Sequence, residues 1–129
     1  MIPEIVIEKV PKLGDLLDSS QKALNVESVK TLQVIKQYIE KIGSVKQIIL
    51  FGSRAQGTYR DDSDYDILLI TEKYLAPEEK RKLSNKIIAD LSRQKIDVDI
   101  LVKNSEDILQ VYQRPFSIVK SALETGVLI

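Results

Sequence analysis

The chain has 129 residues with 19 basic and 19 acidic side chains, so its bulk charge gives no reason to expect a long nucleic-acid track or an anionic membrane surface. It has no cysteine and no histidine, which excludes disulfides, thiolate metal sites and a serine–histidine triad. The length suits a single domain over residues 1–129 that buries about two-thirds of its unfolded surface.

No apolar run approaches the length of a membrane span, and Met1-Ile-Pro-Glu lacks the basic start and apolar centre of a secretory signal, so a cytoplasmic location is expected. In residues 1–20, Pro3, Pro11 and Gly14 interrupt an apolar pattern of Ile5, Val6, Ile7, Val10, Leu13, Leu16 and Leu17. This stretch reads equally as an interface arm, which would allow a homo-oligomer, and as a segment packed across the core. Val26 to Ile42 is a helix with Asn25 as its cap, an apolar stripe of Val29, Leu32, Ile35, Ile39 and Ile42, and Gly43 as its stop. Lys46 to Phe51 and Ile67 to Ile70 are compact apolar runs rich in branched residues and read as buried strands. Pro77-Glu78-Glu79 opens a helix whose Leu83, Ile87, Ile88 and Leu91 face inward, with Arg93 and Lys95 at its end in keeping with the helix dipole. From Ile96 to Val102 the residues Ile96, Val98, Ile100 and Val102 alternate as the apolar face of a third strand. Asn104-Ser-Glu-Asp starts a short helix to about Tyr112, and Pro115 begins another with Phe116, Val119 and Leu123 before Gly126. The order is α, β, short α, β, α, β, α, an α/β (α+β) chain.

The chemistry is concentrated in the polar connection between the first two strands. Gly52 at a strand end lets the backbone come close to a ligand, Ser53 can cap the following turn, and the free N–H groups of such a turn attract anions. Gly57 would close the turn in a left-handed conformation, and Arg54 and Arg60 would supply charge to a phosphate. The stretch has neither the Gly-Lys-Ser/Thr ending of a P-loop nor a Gly-x-Ser-x-Gly elbow. Asp64 and Asp66, at the start of the second strand, point to one face roughly 6 to 7 Å apart at the backbone. Like charges held together destabilise a fold unless a cation lies between them, and Mg²⁺ favours such an all-oxygen setting. A calcium loop beginning at Asp62 is rejected, because Ile67 stands where glycine is required and Lys73 where the closing glutamate belongs. A two-metal site needs a further carboxylate, and Asp97 and Asp99 share the polar face of the third strand.

These residues resemble the minimal nucleotidyltransferases of the DNA polymerase beta superfamily. The likeness lies in Phe-Gly-Ser-x-Ala-x-Gly at residues 51–57, Ser-Asp-x-Asp-Ile at 63–67 and Val-Asp-Ile-Leu-Val at 98–102, and extends more loosely over about residues 28–129. It implies the nucleotidyltransferase fold, a mixed sheet of at least three strands packed with helices. It also implies that Gly52 and Ser53 hold a nucleoside triphosphate such as ATP, and that Asp64, Asp66 and Asp99 bind two Mg²⁺ ions and carry catalysis. The family position falls on Asp99 rather than Asp97. Relatives of this size are often paired with a HEPN-type RNase toxin and act as its antitoxin, in some cases by transferring AMP to a tyrosine of the toxin. Transfer to a small hydroxyl compound such as an aminoglycoside, and a non-catalytic binding module on the same fold, are the alternatives.

Overall fold

The computed structural model of the chain describes residues 10–12, 26–115 and 117–129. The expected cap Asn25 and the expected helix residue Phe116 lie outside the described residues, as does most of the stretch 1–20. The elements are α1 (Val26–Ile42), β1 (Val45–Phe51), α2 (Gly52–Gln56), β2 (Tyr65–Thr71), α3 (Pro77–Ser92), β3 (Val98–Asn104), α4 (Ser105–Tyr112), α5 (Ile118–Thr125) and β4 (Val127–Leu128).

The strands hydrogen-bond in the order β3-β2-β1-β4. β1 is antiparallel to both β2 and β4, and β2 runs parallel to β3, so the sheet is mixed as expected. Strict alternation along the strands sorts their side chains between two cores. Ile48, Leu50, Tyr65, Ile67, Leu69, Val98, Ile100 and Val102 meet Leu32, Ile35 and Ile39 of α1 and Ile87 and Leu91 of α3. On the opposite face Ile49, Leu68 and Ile70 meet Ile108 of α4, Val119, Ala122 and Leu123 of α5, and Val10. Each fully buried Leu or Ile contributes about 1.5–3 kcal/mol, so β2, buried on both faces from Ile67 to Ile70, anchors the sheet. Helices cover the first face thoroughly. The second is left half-covered at Phe51 and Leu101, and alternation puts Asp66 and Asp99 on that side.

The helix ends show why the boundaries fall where they do. Gly43 and Ser44, with φ of 77° and 63°, turn the chain out of α1. Pro77 starts α3 and Glu79 reaches back to accept from the Ala76 N–H at 3.0 Å, as the Pro-Glu-Glu opening predicts. Arg93 caps α3 and pairs with Asp90, while Ile96 donates its N–H to Leu91 O at 3.0 Å. Ile96 therefore belongs to the turn after α3, and the third strand begins at Val98, two residues later than its apolar alternation suggests. α5 likewise begins at Ile118 rather than Pro115, because Ser117 takes the cap and its hydroxyl accepts from the Lys120 N–H at 3.3 Å. β4 was not anticipated, since two residues are too few to show a period. Lys12 bridges to Leu128, and the Leu128 N–H donates to Pro11 O at 2.8 Å. The described part of the first segment thus lies against the sheet, with Val10 buried.

Polar ties join α3 to α1 and to α4. Behind the sheet the Tyr38 hydroxyl of α1 donates to the Asp90 carboxylate of α3; burial and that carboxylate push the tyrosine up to about 12. The second tie is Lys80 of α3 paired with Asp107 of α4, which connects the helix layers on opposite faces. Asp107 also closes a capping box with Asn104, whose Oδ1 accepts from the Asp107 N–H at 2.8 Å and whose N–H donates back at 3.0 Å. Burial pushes the Asp107 carboxyl up, but the Lys80 ammonium and the Asn104 N–H outweigh it and hold the group below the usual carboxylate range. Asp107→Ala is expected to cost about 1–2 kcal/mol at neutral pH in urea unfolding. Because the folded-state pKa is depressed, this stabilisation is present above the unfolded carboxyl pKa and lost as pH falls through the folded one, so the two proteins should converge in acid.

Candidate active site

β1 delivers its last residue, Phe51, directly opposite Asp66 of β2, and Asp66 lies opposite Asp99 of β3. The register therefore sets Gly52, Asp66 and Asp99 at one end of the sheet, and Asp64 stands one residue before β2. Gly52 has φ of 71°, a conformation that L side chains resist. A Cβ built there would stand 2.2 Å from Asp66 Oδ2. The close approach that this glycine permits in the folded chain is thus to the aspartate carboxylate.

α2 follows at once, and Gly57 ends it with φ of 79°, its N–H donating to Ser53 O, which bears out the expected turn. Ser53 does not cap it: Phe51 occupies the N-cap in extended backbone, with no side-chain oxygen on the first-turn N–H groups. Free first-turn N–H groups of this kind suit an anionic oxygen.

The structure divides the expected basic residues. Arg60 is exposed, and its backbone N–H donates to Ser63 Oγ at 2.8 Å. Arg54 is only 6% exposed and turns inward. Its Nε and Nη2 donate to Ser63 O at 3.2 and 2.9 Å, Nη2 also to Asp61 O at 3.2 Å, and Nη1 to Ser28 Oγ at 3.2 Å. The guanidinium lies over both the Tyr59 and the Tyr65 ring, 4.5 and 4.3 Å from their centroids. Sequence reasoning gave no role to Ser28, Tyr59 or Tyr65; the two tyrosines flanking the acidic turn were the available signal, whereas Ser28 looks like any helix serine.

Asp66 is half-buried, and Asp64 and Asp99 are exposed. Burial pushes the Asp66 carboxyl up, and the charges of Asp99 and Asp64 push it further in the same direction. Asp97 stands apart. Its backbone carbonyl accepts from the Tyr65 N–H at 3.0 Å, and its side chain lines a cleft of about 390 Å³ behind the loop, with Glu27, Asp61, Asp62 and Lys95. None of Asp64, Asp66 and Asp99 lines that cleft.

Among the described residues no three acidic side chains are drawn tightly enough together to ligate one ion as they stand. Asp66 carries the strain of the group, its carboxyl pushed up first by burial and then by the charges of Asp99 and Asp64. The donor set is all oxygen and suits a hard divalent cation, so Asp64, Asp66 and Asp99 are the residues that would hold one.

Residues 33–129 match the family described as polymerase beta, nucleotidyltransferase. The chain belongs to this family. A Methanocaldococcus jannaschii protein named "Putative protein adenylyltransferase MJ0141" is 32% identical over 79 residues, which are 57% of this chain and 76% of that one. A second protein of the same organism, "Putative protein adenylyltransferase MJ0604", is 42% identical over a shorter stretch of 43 residues, 30% of this chain and 43% of its own length. The fold is shared with a crystal structure described as "a putative nucleotidyltransferase from Sulfolobus solfataricus", with a TM-score of 0.55 and 22% identity over 86% of this chain and 88% of that one. Membership makes the chain a nucleotidyltransferase, and the mixed sheet packed with helices matches that fold. Among the described residues no helix is long and apolar enough to cross a membrane.

The raised Asp66 carboxyl makes a stability test independent of catalysis. For an acid whose folded-state pKa is raised, the ionised form costs stability; the cost is absent below the unfolded pKa and complete above the folded one. Asp66→Asn is therefore expected to melt higher than the unaltered chain by about a few degrees at neutral pH in EDTA, and to lose this advantage in acid. Differential scanning calorimetry across pH checks both statements.

Proposed function

We propose that this nucleotidyltransferase transfers AMP from ATP to a hydroxyl of a protein acceptor, and that the acceptor is a tyrosine of a HEPN-type toxin for which the chain is the antitoxin. The observation that carries the reading is the register of Asp66 between Phe51-Gly52 and Asp99, which sets the α2 turn and the acids of two neighbouring strands at one end of the sheet. The protein acceptor is supported by the name of the M. jannaschii relative at 32% identity. The toxin partner is supported by the likeness of residues 51–57, 63–67 and 98–102 to minimal nucleotidyltransferases.

In this reading the first-turn N–H groups from Gly52 and Ser53 hold the triphosphate, and the exposed Arg60 adds charge at the rim. Asp64, Asp66 and Asp99 would hold Mg²⁺, which when bound neutralises the triphosphate and lowers the pKa of the acceptor hydroxyl. Gly52 keeps Asp66 seated, and the β2–β3 register keeps Asp99 beside it, so the carboxylates are oriented before substrate arrives. The acceptor oxygen bonds to the α-phosphorus, the bond to the β-phosphate oxygen breaks, and pyrophosphate leaves. The half-covered sheet face beside Phe51 and Leu101 gives a large acceptor room to approach.

The chain incubated with Mg²⁺ and its HEPN-type partner should label that partner from ATP carrying ³²P at the α position and not from ATP labelled at γ. Intact mass should rise by whole AMP units, and Asp66→Asn should lower the rate by about a hundredfold or more. Label found only in small molecules would point to the aminoglycoside-like alternative, and transfer at the normal rate by folded Asp66→Asn would remove the account.

A further inference from the structure

Arg54 sits inside the motif that resembles a phosphate-binding turn, yet its side chain leaves that turn and enters the interior. The planar guanidinium reaches three separate parts of the chain at once: Ser28 on α1, and the carbonyls of Asp61 and Ser63 on either side of the acidic turn. The rings of Tyr59 and Tyr65 both pack against it. A fork of fixed donors that also stacks on aromatic faces is a property of arginine, and lysine cannot reproduce it.

The anchored residues frame the metal-facing acids. Asp64 lies between Ser63, whose carbonyl accepts two of the Arg54 bonds, and Tyr65, whose ring lies against the guanidinium and whose N–H donates to Asp97 O on the approach to β3. Asp66 follows at once, against Gly52. The turn is closed further by Ser63, whose hydroxyl accepts from the Arg60 N–H at 2.8 Å and whose own N–H donates to Arg60 O at 3.1 Å.

We propose that Arg54 is a positioning residue: it fixes the Asp61–Tyr65 loop against α1 and so sets the direction of Asp64 and Asp66 toward the metal ions, without touching the nucleotide. This rests on the metal-dependent nucleotidyltransferase reading above.

The test separates positioning from phosphate contact and from charge. Mn²⁺ binding, read by electron paramagnetic resonance with a non-hydrolysable ATP analogue present, should weaken about tenfold or more in Arg54→Lys, which keeps the charge and loses the fork. The affinity of the analogue measured in EDTA should stay unchanged. Arg54→Ala should weaken Mn²⁺ binding as well, although removing a nearby cation would by charge alone strengthen it. Millimolar guanidinium should restore that binding, and ammonium at the same ionic strength should not.

Wild-type Mn²⁺ affinity in folded Arg54→Lys would overturn the proposal. So would loss of analogue affinity in EDTA with Mn²⁺ binding kept, which would make Arg54 a phosphate ligand. Should both Arg54 variants fail to fold, Ser28→Ala removes one anchor away from the acids and should still weaken Mn²⁺ binding measurably; unchanged binding there would overturn the proposal equally. An unaltered chain that binds no Mn²⁺ would remove the metal reading itself, and this shows before any variant is compared.

Discussion

Where Asp66 places its carboxylate, a side chain on residue 52 would collide with it: a Cβ there would stand 2.2 Å from Asp66 Oδ2. The pairing of Phe51 with Asp66 sets that carboxylate beside the end of β1, and the pairing of Asp66 with Asp99 carries the arrangement across to β3. Gly52 serves two purposes in one position, since its φ of 71° turns the chain from strand into α2 while its bare Cα accommodates the acid. Turn and carboxylates therefore form one unit. A side chain at residue 52 would disturb both the backbone donors and the acid next to them.

The surrounding structure holds this unit in place against its own repulsion. Two complete rows of branched side chains on the α1–α3 face fix the strand register, so that Asp66 and Asp99 cannot slide apart along the sheet. The Lys80–Asp107 pair and the Tyr38–Asp90 hydrogen bond tie helices at other places in the fold, away from the acids. Burial and the neighbouring charges of Asp99 and Asp64 both oppose ionisation of Asp66, so its charged form is held at a local cost in stability.

Much of this was legible in the sequence because it depends on local pattern. The stripe from Val29 to Ile42, the Pro77-Glu78-Glu79 opening and the branched runs at residues 46–51 and 67–70 are periodic or punctuated, and the structure has each of them. The Gly57 stop also followed from local chemistry. The rest depends on contacts between distant residues. Arg54 read as a phosphate ligand because its neighbours belong to the anion-binding motif, and only tertiary structure brings Ser28 and the Ser63 carbonyl to its fork. Asp97 and Asp99 looked equivalent by alternation, but the hydrogen bond from Ile96 back to Leu91 delays the strand to Val98 and leaves Asp97 outside it. β4 and the bridge to Lys12 involve too few residues to produce a period. The part of the chain that resembles a family was also the part whose chemistry could be stated residue by residue, which is why the acids were named before their partners were.

The central claim is that Asp66 and Asp99, with Asp64, form the cation site while Asp97 stays outside it. Calorimetric titration of a non-hydrolysable ATP analogue, in Mg²⁺ and again in EDTA, measures that site directly in the Asp97→Asn and Asp99→Asn variants. The account predicts that Asp97→Asn keeps the Mg²⁺-dependent gain in affinity of the unaltered chain and that Asp99→Asn loses it. Equal losses in the two variants, or a loss confined to Asp97→Asn, would contradict the placement of the site.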